Sequence, residues 1–305
     1  MTAARDLGYR LLGGRFDYLL HLRPAEWPIL AAHTAVGYLL AVGLAGASAG
    51  VRVGPAALAL VLWVICLNGG TLALNSAFDR DEGDIAYLRR PPRPPPGLAV
   101  FSLSLMTVGL VIALRLPLGF VTAYALCFLL SVLYSMPPFR LKAVAGADWL
   151  INMWGFGTIT PYAGWSATGI ALDEARGLVL LAFCPLFASL YPLTQLYQLE
   201  EDSRRGDRTL AVVLGLKRSL DLALGAAALA FLIFAAAGWK AGWLSSPTGA
   251  WRAFGLGLAA LAWAAVLLAW RVRYAQLRPD EHQHRMYLAL GAWAVTDLVV
   301  VLAWG

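Results

Sequence analysis

The chain is poor in charge: of 305 residues only 14% are Asp, Glu, Lys or Arg. A soluble domain of this size carries nearer a quarter, so a water-filled surface on all sides is excluded. Cysteine is scarce too, at three. Cys66, Cys127 and Cys184 sit in apolar stretches at no metal-like spacing, and read as small buried hydrophobes rather than ligands or disulfides. With only four histidines, a histidine-rich metal centre is not expected, and His282 and His284 in RPDEHQHR read as loop residues. The first 24 residues, dotted with Arg and Asp, lack the clean apolar core of a cleavable signal peptide.

Apolar sequence is what the chain has in quantity, at 60% hydrophobic residues. Runs such as PAALALVLWVICLNGGTLAL (55–74) and GLVLLAFCPLFASLYPLTQLY (177–197) are long enough to cross a hydrocarbon core. Nine such spans are expected, at 26–46, 54–78, 98–115, 117–135, 147–166, 177–199, 216–238, 250–270 and 286–304. With the N-terminal tail on one side, the opposite side receives only Arg52, Arg115, Arg176, Lys240 and Arg252, which leaves 19 of the 24 Lys and Arg on the N-terminal side. Cytoplasmic loops carry the excess of basic residues, so a multi-pass protein of a prokaryotic cytoplasmic membrane is expected, N-terminus inside. The formal net charge of +6 is then an orientation signal in the lipid bilayer, and no nucleic-acid partner is implied. Sixteen of the 18 acids are expected on or near the same side, Asp173 and Glu174 excepted. The fold class predicted is an all-α membrane protein in one domain, 1–305, with acidic loops at 75–97 and 198–217.

Those two connections concentrate the chemistry. In NSAFDRDEGD (75–84) four carboxylates fall within six residues, at Asp79, Asp81, Glu82 and Asp84. At 100° per residue Asn68, Asn75 and Asp79 fall within about 40° of one another, a polar stripe that ends in the acids. Asn68 there serves either a ligand or a neighbouring helix. Gly83 is placed to end the helix and let Asp84 fold back toward Asp79. Converging carboxylates repel and need a cation, and hard oxygens of Asn and Asp suit Mg²⁺ together with substrate phosphate. The sixth span ends similarly, in YPLTQLYQLEEDSRRGDRTLAVVLG (191–215). Gln195, Gln198, Glu201 and Asp202 share a polar face, Gly206 is a candidate cap, and Arg204, Arg205 and Arg208 crowd the exit. Between the two lies YSMPPFRLK (134–142), whose Arg140 and Lys142 offer a fork and a point charge for phosphate oxygens. Acids at helix C-termini oppose the macrodipole, so two such clusters ask for a reason beyond solvation. Trp149, Trp154, Phe156, Tyr162 and Trp165 of the fifth span either line a cavity or pack the bundle.

On these motifs the chain resembles the UbiA superfamily of intramembrane prenyltransferases. Members show N-D-x-x-D-x-x-x-D after helix 2, Y-S-x-x-P-x-R-x-K after helix 4 and D-x-x-x-D followed by G-x-x-T after helix 6. Asn75, Asp79 and Asp84 match the first, Tyr134, Ser135, Pro138, Arg140 and Lys142 the second, and Asp202, Gly206 and Thr209 the third. LRP (22–24), with Arg23, resembles the usual approach to helix 1. Departures are Ser76 for an Asp, Gly83 at the place of the last Asp with Asp84 one later, Gln198 for the first Asp of the third motif, and LRRPPRPPPGLAV (88–100) in place of R-P-x-x-S-G.

The resemblance implies nine helices around a lipid-accessible central cavity capped by acidic cytoplasmic loops. It implies Mg²⁺ on Asn75, Asp79, Asp84, Gln198 and Asp202, an allylic polyprenyl diphosphate contacted by Asn68, Asn75, Gln198, Arg208 and Arg23, and catalysis by Asp79, Asp84, Asp202, Arg140, Lys142 and Tyr134. The prenyl group passes to a hydrophobic acceptor. A terpene cyclase, in which the substrate's own double bond captures the cation, is the alternative within the fold. A transporter is disfavoured because the charges gather at one face rather than at the midplane.

Overall fold

The computed structural model describes residues 3–79, 88 and 90–305. Two short helices, α1 (Ala3–Leu12) and α2 (Phe16–His21), precede the bundle. The helices that follow are α3 (Pro24–Ser48), α4 (Val53–Asp79), α5 (Leu98–Ala113), α6 (Leu118–Ser135), an interrupted α7 (147–166), α8 (Glu174–Gln198), α9 (Leu199–Arg205), α10 (Leu210–Lys240), α11 (Gly249–Gln276) and α12 (Pro279–Trp304). Seven of these, α3, α4, α6, α8, α10, α11 and α12, are long and apolar enough to cross a membrane. Helix α5 is shorter, and α7 is broken into two helical pieces by a π-helical stretch over Met153–Ile159. No strand occurs among the described residues, where an isolated bridge joins Val144 to Arg208.

Lipid gives no hydrophobic drive for helices to associate, so small residues that admit close backbones set the crossings. Helices α3 and α7 meet in this way. A Cβ on Gly37 would run into the Pro161 carbonyl, and one on Gly164 into the Thr34 carbonyl. Both obstacles are backbone and cannot swing aside. Gly37→Ala is therefore expected to cost about 1–3 kcal/mol, as overpacking does, read as a lower melting temperature in detergent; an unchanged melt would contradict this crossing.

Helix α8 is the most buried of the seven long helices and holds two interior prolines, Pro185 and Pro192. Proline has no N–H, so Pro192 frees the carbonyl of Ala188 four residues back. The Trp149 indole Nε1–H of α7 donates to that carbonyl at 2.9 Å. A break in one helix thus becomes a fixed bond to another, as apolar surroundings require.

Asp297 departs from the expectation that all acids but Asp173 and Glu174 lie on or near the basic side. It lies well inside α12, with its Oδ1 3.0 Å from His33 Nδ1 on α3. Trp149 and Trp165 are occupied by bonds to the carbonyls of Ala188 and Ile170, and Trp154 is exposed.

Candidate active site

A chamber of about 440 Å³ opens among α3, α4, α6, α7, α8 and α12. Two of its walls carry π-helical stretches, Val61–Gly69 in α4 and Met153–Ile159 in α7, a deviation from regular helix that is frequent at functional sites. Helix α4 contributes Leu67, Asn68, Thr71, Leu72, Asn75 and Asp79, so the polar stripe read from the sequence does face one space. Also in the lining are Arg23, Tyr134, Lys142, Gln198 and Asp202. Phe156 is the one residue of the expected aromatic set that lines it.

The mouth is an ion-pair cluster. Lys142 pairs with Asp79. Arg140 reaches across, with Nη2 3.9 Å from Asp79 Oδ1 and Nη1 3.1 Å from Asp207 Oδ1. The backbone explains how residues so far apart converge. Arg140 itself takes a left-handed conformation (φ 39°), uncommon for a side-chain-bearing residue. Gly206 caps α9 at φ 76°, and the Asp207 N–H bonds back to the Asp202 carbonyl at 3.0 Å. That is the glycine C-cap expected from the sequence, and it turns Asp207 inward beside Asp202. Sequence reasoning missed Asp207, since the third motif ends its acids at Asp202. The Gly-Asp pair at the cap was the signal that could have found it.

Arg23 occupies a second left-handed position (φ 51°) and is buried, with Nε and Nη2 lacking hydrogen-bond partners among the described residues. Its Nη1 lies 3.6 Å from Glu26 Oε1, another chamber residue that the motifs did not flag. Tyr134 donates to or accepts from Tyr191 at 3.0 Å between hydroxyls. Behind them Asp148, fully buried, accepts from Gly146 N, Gln195 Nε2 and Leu210 N at 2.9, 3.0 and 3.1 Å.

Other expected residues fall elsewhere. Arg208 is bonded through its backbone N–H to the Ala143 carbonyl at 3.3 Å, and its side chain is exposed rather than in the lining. Ser76, the departure beside Asn75, is buried away from the chamber, so the missing acid is not missing from the lining. Asp84 and the side chain of Glu201 lie outside the described residues.

Among the described residues no three His, Cys, Asp or Glu side chains are gathered tightly enough to hold a metal ion by themselves. The donors fit Mg²⁺ nonetheless. Asn75 Oδ1 is buried without a hydrogen-bond partner beside Asp79, and each of Asn75, Asp79, Gln198, Asp202 and Asp207 offers at least one hard oxygen. Mg²⁺ commonly takes one or two carboxylates and completes its shell with water and substrate phosphate.

The helices long and apolar enough to cross a membrane enclose a chamber whose mouth carries acids and bases and whose far walls are apolar. The chain belongs to the UbiA prenyltransferase family, whose sequence model matches residues 34–291, and it is a multi-pass integral membrane prenyltransferase. It is 29% identical over 218 residues to digeranylgeranylglyceryl phosphate synthase of Natronomonas pharaonis, covering 69% of this chain and 73% of that protein. To the lycopene elongase/hydratase of Haloferax volcanii it is 28% identical over 235 residues, 74% of each chain. A UbiA homologue of Archaeoglobus fulgidus, solved with GPP and Mg²⁺, superposes with a TM-score of 0.65 at 18% identity, over 94% of this chain and 99% of that one.

Proposed function

We propose that this protein is a Mg²⁺-dependent prenyltransferase that moves a polyprenyl group from an allylic diphosphate to a hydrophobic acceptor. The diphosphate sits at the cytoplasmic mouth and the prenyl chain in the chamber. Nine spans make up the bundle that holds that chamber, beneath acidic cytoplasmic loops and with the N-terminus inside. The observation that carries the reading is the polarity of the chamber: the Asp79–Lys142 and Arg140–Asp207 pairs at one end, and Leu30, Leu67, Phe156, Phe187 and Leu290 beyond them. The names of the relatives and the GPP and Mg²⁺ held by the Archaeoglobus homologue support the same substrate class.

Asn75, Asp79, Asp84, Gln198 and Asp202, now with Asp207, would hold the ion. When bound, Mg²⁺ supplies Lewis-acid stabilisation of the departing diphosphate. Lys142 and Arg140 are the chain's own contribution: their charge is partnered by carboxylates in the resting protein and is available to phosphate oxygens when a diphosphate arrives. Arg23, a lining residue with two buried nitrogens that lack partners, is the further donor. Tyr134 and Tyr191, linked through their hydroxyls, form a wall that keeps water from the allylic carbon. The C1–O bond breaks with its electron pair going to diphosphate, the acceptor bonds to C1, and the acceptor releases a proton.

The test is diphosphate release by purified protein in nanodiscs, fed geranyl, farnesyl and geranylgeranyl diphosphate with Mg²⁺ or EDTA. Mg²⁺-dependent release that requires an added membrane-lipid extract is the expected result. Release without extract, with a cyclic product, would make the enzyme a cyclase; no release in any arm would overturn the proposal. A second measurement addresses the metal ligands. Gln198 carries no charge, so Gln198→Asp should lower the Mg²⁺ concentration for half-maximal rate severalfold, and an unchanged Mg²⁺ titration would remove Gln198 from the ligand set.

A further inference from the structure

The chamber stops abruptly. Counted inward from the mouth, its lining ends at His33 on α3, Leu67 on α4, Cys127 on α6, Thr160 on α7, Phe187 on α8 and Trp293 on α12, although all of these helices but α7 run on by two turns or more. Only α7 is near its end there. The end is therefore a floor made by side chains and not by the limit of the bundle.

That floor is locked from beneath. Pro161 has no N–H to give the Gly157 carbonyl four residues back, and His33 Nε2 lies 3.2 Å from that carbonyl. A carbonyl only accepts, so Nε2 carries the proton and donates. On the other side of the ring Nδ1 faces Asp297 Oδ1 at 3.0 Å, and the ring edges stand against Phe183 and Trp293, both 4.8 Å away between centroids. One imidazole thus ties α3 to α7 and α12. Thr160 is held likewise, accepting from the Trp63 indole one turn below at 3.2 Å. Ionisable groups within membrane helices are costly and mark function, yet neither His33 nor Asp297 is near the mouth chemistry. A leucine floor could yield by changing rotamer when a longer apolar tail presses on it. An imidazole bonded at both nitrogens cannot move without stranding two polar groups in an apolar interior.

We infer that His33, clamped by Asp297 and the Gly157 carbonyl, is the floor that sets the length of isoprenoid the chamber accepts, and that the fitting chain has three isoprene units. Depth follows from helix rise: the 3₁₀ turn Pro24–Glu26 climbs about 2 Å per residue and the α-helix from Trp27 about 1.5 Å, which puts His33 about 16 Å below Arg23. Three chain bonds span about 3.6 Å when extended, so a four-bond isoprene unit spans about 5 Å and three units reach the floor. A fourth meets the imidazole. This inference rests on the allylic-diphosphate reading above.

The test measures binding rather than turnover, with the non-ionising thiolodiphosphate analogues of geranyl, farnesyl and geranylgeranyl chains, Mg²⁺, and full-length protein in nanodiscs. Wild type should bind the farnesyl analogue at least tenfold tighter than geranyl, with no gain for geranylgeranyl. His33→Ala/Asp297→Ala removes both members of the pair, so no charge is stranded, and should shift the geranylgeranyl-to-farnesyl ratio at least tenfold toward the longer chain. Cys127→Phe raises the floor and should shift preference toward geranyl; it decides alone if the double variant fails to fold by gel filtration. The same length ranking in wild type and in the folded variants would overturn the floor while leaving the diphosphate reading intact. Failure of wild type to bind any of the three would overturn that reading, and the floor with it.

Discussion

Asp79→Ala is expected to lower diphosphate release on the order of 10³-fold, the upper range for removing one preorganised electrostatic group from an active site. Asp79 lies where Lys142 and Arg140 converge, beside the unpartnered oxygen of Asn75. Alanine at this position removes a ligand for the ion and at once leaves two cations facing each other across the gap. Asp79→Asn separates these effects, because it keeps the shape and one oxygen but not the charge. It should recover folding stability fully and activity only in small part. Asp202→Ala should match Asp79→Ala, as it loses a carboxylate from the opposite wall of the same mouth. Glu174→Ala is the control: Glu174 pairs with Lys240 at 2.6 Å on an exposed surface at the other end of the bundle, and exposed pairs contribute little. Wild-type rates in both Asp79→Ala and Asp202→Ala would remove the mouth cluster from the mechanism.

The parts of this site that could be read from the sequence are those governed by one local period. Asn68, Asn75 and Asp79 share a face because seven and four residues are close to whole turns, and the π-helical stretch of α4 ends at Gly69, before it can rotate Asn75 and Asp79 away from each other. Gly206 was legible as a cap because a glycine after a charged helix end has few other uses. What the cap delivers was not legible: Asp207 reaches Arg140 only through the left-handed turn at Gly206 and the left-handed Arg140 sixty-seven positions earlier. Arg208 shows the converse. The resemblance implied a diphosphate contact for it, and the structure leaves its side chain exposed outside the lining, with its backbone N–H bonded to the Ala143 carbonyl.

Helices that are mostly apolar all round hide their inner face, and the membrane-spanning parts of α3, α7 and α12 are of that kind. Glu26, Asn152, His33 and Trp293 line the chamber, yet no periodicity singles them out. The His33–Asp297 pair joins residues 264 positions apart, and only the assembled bundle brings them together. The count of spans is limited by the same physics. Nine apolar stretches are visible by composition, but Leu98–Ala113 is short and 147–166 is broken at Met153–Ile159, features set by packing rather than by hydropathy.

The second large effect is expected at a residue that no motif includes. Asp148→Ala should both destabilise the protein and nearly abolish turnover, although Asp148 does not line the chamber. Its carboxylate takes three N–H donors from three segments: Gly146 in the connection that carries Arg140 and Lys142, Gln195 at the end of α8, and Leu210 at the start of α10. The Gln195 amide passes the constraint on, accepting from Ala211 N at 3.3 Å and donating to the Tyr191 hydroxyl at 3.1 Å, which in turn meets Tyr134. Both loops that bear mouth residues therefore hang from one buried carboxylate. Alanine strands all three donors, at about 1–3 kcal/mol for each that finds no other partner. Asp148→Asn should recover part of the stability, since its oxygen still accepts, but its amide meets donors where the carboxylate met them and mis-sets one of the two loops. The decisive measurement pairs a melting curve in detergent with the KM for the prenyl diphosphate and kcat. A folded Asp148→Asn protein with a raised KM and depressed kcat would establish registration of the two loops as the role of Asp148. Wild-type kinetics in that folded variant would show that Asp148 serves stability alone.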